Sequence, residues 1–154
     1  MPNLETKVDI IGSCSILLAG VSSVYREVHL HWQMFSNEDL ELAAYVKAHS
    51  EKDAIFLTSD KHNHPIPCLA GRRILMGYRG WLWSHGIDYR SRESDVFEIY
   101  EGSPRLAELL KQYDVSYLLL EWDKLAAFHE NPAALLGRFP VVYQSRNYIL
   151  FKVR

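Results

Sequence analysis

The chain has 154 residues, 48% hydrophobic and 23% charged. That is enough for one compact domain with its own core, and it excludes a disordered chain. A formal net charge of −2 gives bulk charge no part in nucleic-acid binding, and two cysteines, Cys14 and Cys68, are too few for a disulfide framework.

The first element is "VDIIGSCSILLAGVSSVYREV", Val8 to Val28, which carries no charge between Ile10 and Val24. A complete membrane span needs roughly 20 apolar residues, and Ser and Gly dilute this run. Three readings stand side by side: a buried core helix, the apolar region of a signal peptide, or the last turns of a membrane helix. Glu5 and Asp9 sit badly in the signal-peptide reading.

"SNEDLELAAYVKAHS" predicts a helix. Ser36 or Asn37 caps it, acidic residues fill its first turn, and Leu40, Ala43, Ala44 and Val46 form its apolar face. "DAIFLTSD" is a short apolar run between polar residues, which suits a buried strand. "GRRILMG" offers a second strand, Ile74 to Met76. "RESDVFEIYEG" reads as a helix stopping at Gly102, and "SPRLAELLKQYDV" as another, with Ser103 as cap and Pro104 at its first position. "VSYLLLEW" is a buried strand, "NPAALLGRF" a further helix start, and "PVVYQSRNYILFKVR" a hairpin turning near Ser145, Arg146 and Asn147. Strands alternating with helices, then two strands in succession, predict an α/β fold. Its sheet is small and mainly parallel, flanked by helices, with a C-terminal antiparallel hairpin and a short apolar helix in front.

Three segments carry candidate chemistry. "SDKHNHP" follows a predicted strand, and the carboxyl ends of strands are where open α/β sheets bind ligands. Asp60, His62, His64 and His85 could hold a metal ion; the plainer alternative is that these side chains cap loop backbone. "YRGWLWSHGIDY" groups Tyr78, Trp81, Trp83 and Tyr89, whose faces suit sugar rings or a membrane interface; its plainer alternative is a small aromatic core with Arg72 or Arg73 stacked on a ring. The arginines of "GRR" could clamp a phosphate or carboxylate. No GxGxxG follows a strand, and there is no GxxxxGK[ST] and no GxSxG, so nucleotide-binding and serine-hydrolase readings have no motif to rest on.

Taken as a series, "D-x-HNHP", "LAGRRILMGYRGWLWSHGIDY", "R-x-SDVFEIYEG" and "LLKQYDVSYLLLEW" resemble the C-terminal region of multi-pass membrane proteins of the GT-C glycosyltransferase superfamily. The resemblance runs from about Asp39 to Arg154 and is most specific from Gly71 to Tyr89. It implies a membrane protein whose small extracytoplasmic α/β domain follows a helix bundle, with lipid-linked sugars as donors. Residues 1–30 then correspond to the end of a membrane span, and residues 31–154 to the soluble domain. Lys7 and Arg26 flank the run on both sides, so charge does not orient it. The superfamily's catalytic acid lies in an early loop that has no counterpart in this sequence, so the resemblance assigns no catalytic residue and no cofactor. It leaves a supporting role: binding donor, acceptor or glycan, or stabilising the parent protein. The expected ligand contacts are Tyr78, Trp81 and Trp83 by ring stacking, and His62, His64, Arg73 and His85 by hydroxyl or phosphate contacts. A metal-dependent hydrolase built on the His62/His64 loop and a purely structural domain are the alternatives.

Overall fold

The computed structural model describes residues 4–30, 33–125 and 131–154, with side chains from residue 17 onward. The chain divides into two compact units, Met1–Met34 and Phe35–Arg154.

The first unit is one helix, α1 (Leu4–His29). It is longer than the apolar run, because the polar residues on either side continue the helix. Arg26 and His29 lie in its last turn, where positive charge complements the helix dipole. No helix among the described residues is long and apolar enough to cross a membrane. The Cys14 side chain lies outside the described residues; Cys68 is a free, exposed thiol.

The second unit runs α2 (Asn37–His49), β1 (Ile55–Leu57), α3 (Pro65–Cys68), β2 (Arg73–Ile74), α4 (Arg79–Ser84), α5 (Arg90–Glu101), α6 (Leu106–Gln112), β3 (Val115–Glu121), α7 (Pro132–Leu135), β4 (Val141–Gln144) and β5 (Tyr148–Lys152). The five strands form one mixed sheet in the order β2-β1-β3-β5-β4. β1 pairs parallel with β2 and β3, and β5 pairs antiparallel with β3 and β4. This is the α/β fold with a C-terminal antiparallel hairpin that the element order predicts.

Both faces of the sheet are covered, so β3 is buried along its whole length. Side chains alternate between two cores, as the strand period of two requires. Leu57, Leu118, Leu120, Ile149 and Phe151 pack with Val96, Ile99 and Tyr100 of α5 and Leu106, Leu109 and Leu110 of α6. Phe56, Tyr117, Leu119, Tyr148 and Leu150 pack with Leu42, Ala43 and Val46 of α2 and Ile66 of α3. Each fully buried leucine contributes roughly 1.5–3 kcal/mol relative to exposure.

Several local expectations shift. In α2 the buried stripe is Asp39, Leu42, Ala43 and Val46, while Leu40 faces solvent. Asp39 decides that register. It closes a capping box with Ser36 and accepts a hydrogen bond from the Tyr148 hydroxyl on β5. The second strand lies at Arg73–Ile74, starting one residue and ending two residues earlier than expected. α6 begins at Leu106 rather than Pro104. The Ser103 hydroxyl accepts from Arg105 N at 3.2 Å and its carbonyl from Leu106 N at 3.0 Å, so the first turn is tighter than an α-helix. α5 does stop at Gly102, which has φ +77°, and a Cβ there would lie 2.4 Å from that of Ala134.

Candidate functional site

The sheet order places β1 between β2 and β3, and the chain leaves β1 on one side and returns on the other. α3, which follows β1, belongs to one core, and α5 and α6, which precede β3, belong to the other. The carboxyl ends of β1 and β3 therefore flank the crevice where such sheets accept ligands. The loop after β1 carries Ser59 to His64, and β3 ends in Glu121.

Where these two strand ends meet is a buried hydrogen-bond cluster. His64 caps α3: its Nδ1 accepts from Ile66 N at 3.1 Å. That leaves the ring proton on Nε2, which donates to Glu121 Oε1 at 3.0 Å, with both side chains fully buried. The same oxygen accepts from Ser59 N at 3.2 Å. Burial opposes ionisation of Glu121, but the hydrogen bonds it accepts from His64 and Ser59 outweigh it. The carboxyl is held below the usual glutamate range. The pair ties the β1–α3 loop to the end of β3. His64 is thus a buried structural histidine, not an exposed ligand contact, and the plainer capping alternative describes it.

The same loop presents His62 at the surface, where it meets two rings from a later segment. Its ring centroid lies 4.5 Å from Trp81 and 5.1 Å from Tyr78, both edge-on, and Tyr78 and Trp81 stand at 87° to one another. Tyr78 precedes α4 and Trp81 lies within it. Gly80 makes the arrangement possible, because a Cβ there would lie 2.6 Å from the Tyr78 ring. Trp81 remains 55% exposed, so the three rings form an open aromatic shelf and not a closed core.

Arg79, the residue after Tyr78, links the loop to α5. Its Nε donates to Asp60 and its Nη1 to Glu93 at 2.8 Å. Asp60, two residues before His62, is therefore engaged with a guanidinium. Among the described residues no group of three or more His, Cys, Asp or Glu side chains could hold a metal ion. The set Asp60, His62, His64 and His85 is dispersed: His64 turns inward to Glu121, while the exposed His85 makes a 2.8 Å contact through Nδ1 with the Trp81 carbonyl at the end of α4.

Other expected contacts lie apart from the shelf. Trp83, two residues after Trp81 on a helix, falls on the opposite face. It lines a separate shallow hollow with Gly86, Ile87, Asp88, Tyr89 and Arg90. Arg73 donates to the Asp53 carbonyl, before β1, at the other end of the strand from His62. Arg72 turns back to α2, donating to Ser50 Oγ at 3.0 Å and to the Lys47, Ser50 and Ala70 carbonyls. Neither arginine of "GRR" stacks on a ring of the shelf or clamps an anion there. Of the seven contacts expected from sequence, the structure groups His62, Tyr78 and Trp81. The residues missed are Arg79, Glu93 and Glu121. The signal for Glu121 was a carboxylate closing a strand that is otherwise uncharged.

No protein-family model matches the chain, and no curated protein matches it.

Proposed function

We propose that this chain is the extracytoplasmic α/β domain of a membrane protein resembling the GT-C glycosyltransferases, and that its shelf of His62, Tyr78 and Trp81 holds a sugar ring without catalysing its transfer. The observation that carries the reading is the shelf itself: three rings, solvent-accessible, at the carboxyl end of β1. A pyranose stacks its C–H face on Trp81, while the His62 ring and the Tyr78 hydroxyl bond its hydroxyls. The buried pair of His64 and Glu121 anchors the loop that carries His62. Purified full chain, titrated with methyl glycosides while its tryptophan fluorescence is followed, tests this. Saturable quenching is expected; a flat response to every glycoside contradicts it.

The same proposal places α1 at a bilayer. Leu17, Leu18, Val21, Val24, Tyr25 and Val28 are each more than half exposed, an apolar surface that water alone does not suit. The full chain is expected to need detergent or to self-associate, and deletion of the residues before Trp32 to give a soluble monomer by light scattering. A full chain that is monomeric in plain buffer contradicts the membrane reading of α1.

A further inference from the structure

At the amino end of β3, the end opposite Glu121, lies a cleft of about 330 Å³ that shares no residue with the shelf. One wall is α6, through Ala107, Leu110 and Lys111. Their spacing of three and four residues puts them on one helix face. The floor is apolar. Val115 opens β3 there, and Phe139 and Val153 come from beside the hairpin; all three pack on the same core as Leu110.

The charged residues lining the cleft are Lys111, Asp114 and Arg154. Asp114 turns the chain from α6 into β3 with φ +56°, the one positive φ outside glycine among the described residues. Aspartate tolerates that conformation better than most side chains do. Its carboxylate pairs with the Arg154 guanidinium. Lys111 has no ion-pair partner among the described residues. The charged residues next in sequence to the lining ones are Glu108, Arg138 and Lys152. Cations therefore outnumber carboxylates around the cleft, and still do when the α-carboxylate of Arg154 is counted.

We infer that this cleft is a second binding site, for a small organic acid with a compact apolar body and a single carboxylate. Small-molecule sites span roughly 300–1,000 Å³, so this volume suits one ring or a short chain. The apolar floor takes the body, which gains by leaving water. The Lys111 ammonium meets the carboxylate as a point charge, with no resident carboxylate to displace. The Asp114–Arg154 pair closes the rim, and its balanced charge leaves a monoanion as the match for Lys111.

The test follows the leucine and valine methyl signals of the full chain by nuclear magnetic resonance in zwitterionic lipid nanodiscs. Benzoate and hexanoate are the probes, with benzyl alcohol, 1-hexanol and hexylamine for comparison. The carboxylates are expected to shift the Leu110, Val115 and Val153 methyls saturably. The alcohols should bind about three- to tenfold more weakly and the amine more weakly still. The gap should narrow in high salt. Lys111→Gln should lower the carboxylates to the affinity of the alcohols and leave the alcohols unchanged. Ala107→Trp, at an exposed position on the wall, should fill the cleft and abolish binding of every probe. Thermal melts confirm that both variants are folded. Equal binding of hexylamine and hexanoate overturns the inference, as does a folded Lys111→Gln variant with its carboxylate preference intact. Methyl shifts that persist in Ala107→Trp, or that no probe produces, overturn it too. Each of these results leaves the sugar shelf to its own test at Trp81 and His62.

Discussion

Replacing Glu121 with Ala is expected to destabilise the α/β unit by about 3 kcal/mol, because it strips the acceptor from two buried donors, His64 Nε2–H and Ser59 N–H, at roughly 1–3 kcal/mol each. For a unit of this size the melting temperature should fall by about 10 °C. The neighbouring histidine supplies the contrast. His62 is exposed, and its removal should change stability by less than about 0.5 kcal/mol. Equal melting temperatures for Glu121→Ala and the unaltered chain would mean that the buried pair does not hold the loop. The same cluster sets an acid limb. The folded Glu121 carboxyl lies below its ordinary value of 4.5, so the unfolded chain binds more protons between those two values. Its stabilising contribution is complete above about pH 4.5 and is lost as pH falls through the folded value. Glu121→Gln should flatten that limb, measured as the melting temperature against pH.

The second large effect separates two tryptophans. Trp81→Ala removes the shelf's largest face and is expected to weaken glycoside binding at least about tenfold, near 1.4 kcal/mol. Trp83→Ala, on the opposite face of α4 and 76% exposed, should change affinity less than about twofold and leave the fold intact. His62→Ala should fall between them, since it withdraws one edge contact and one polar group. Reversal of the two tryptophan effects would move the site to the hollow lined by Ile87, Tyr89 and Arg90.

Much of the architecture was legible because its cause is local. Proline and asparagine or serine marked helix starts, Gly102 marked a helix end, and continuous apolar runs marked strands covered on both faces. What resisted reading depends on groups far apart in the chain. Asp39 fixes which face of α2 is buried, yet its partner Tyr148 lies on the last strand, so a pattern of apolar residues alone selects Leu40 over Leu42. His62 and His64 look equivalent as a spaced pair. Only the capping of α3 and the arrival of Glu121 from β3 turn one inward and leave the other on the surface. The aromatic block from Tyr78 to Trp83 advertised a binding surface, but a six-residue helix divides it, sending Trp81 toward His62 and Trp83 away. Arg73 was drawn to the site by its place in "GRR", whereas its guanidinium reaches the Asp53 carbonyl at the opposite end of β1.

The most direct test of the sugar shelf is nuclear magnetic resonance of the indole N–H and imidazole signals during titration with a neutral methyl glycoside. The account predicts that the Trp81 indole and the His62 ring shift together and saturably, while the Trp83 indole and the buried His64 ring stay in place. Shifts confined to Trp83, or no shift at either Trp81 or His62 up to saturating sugar, would contradict it.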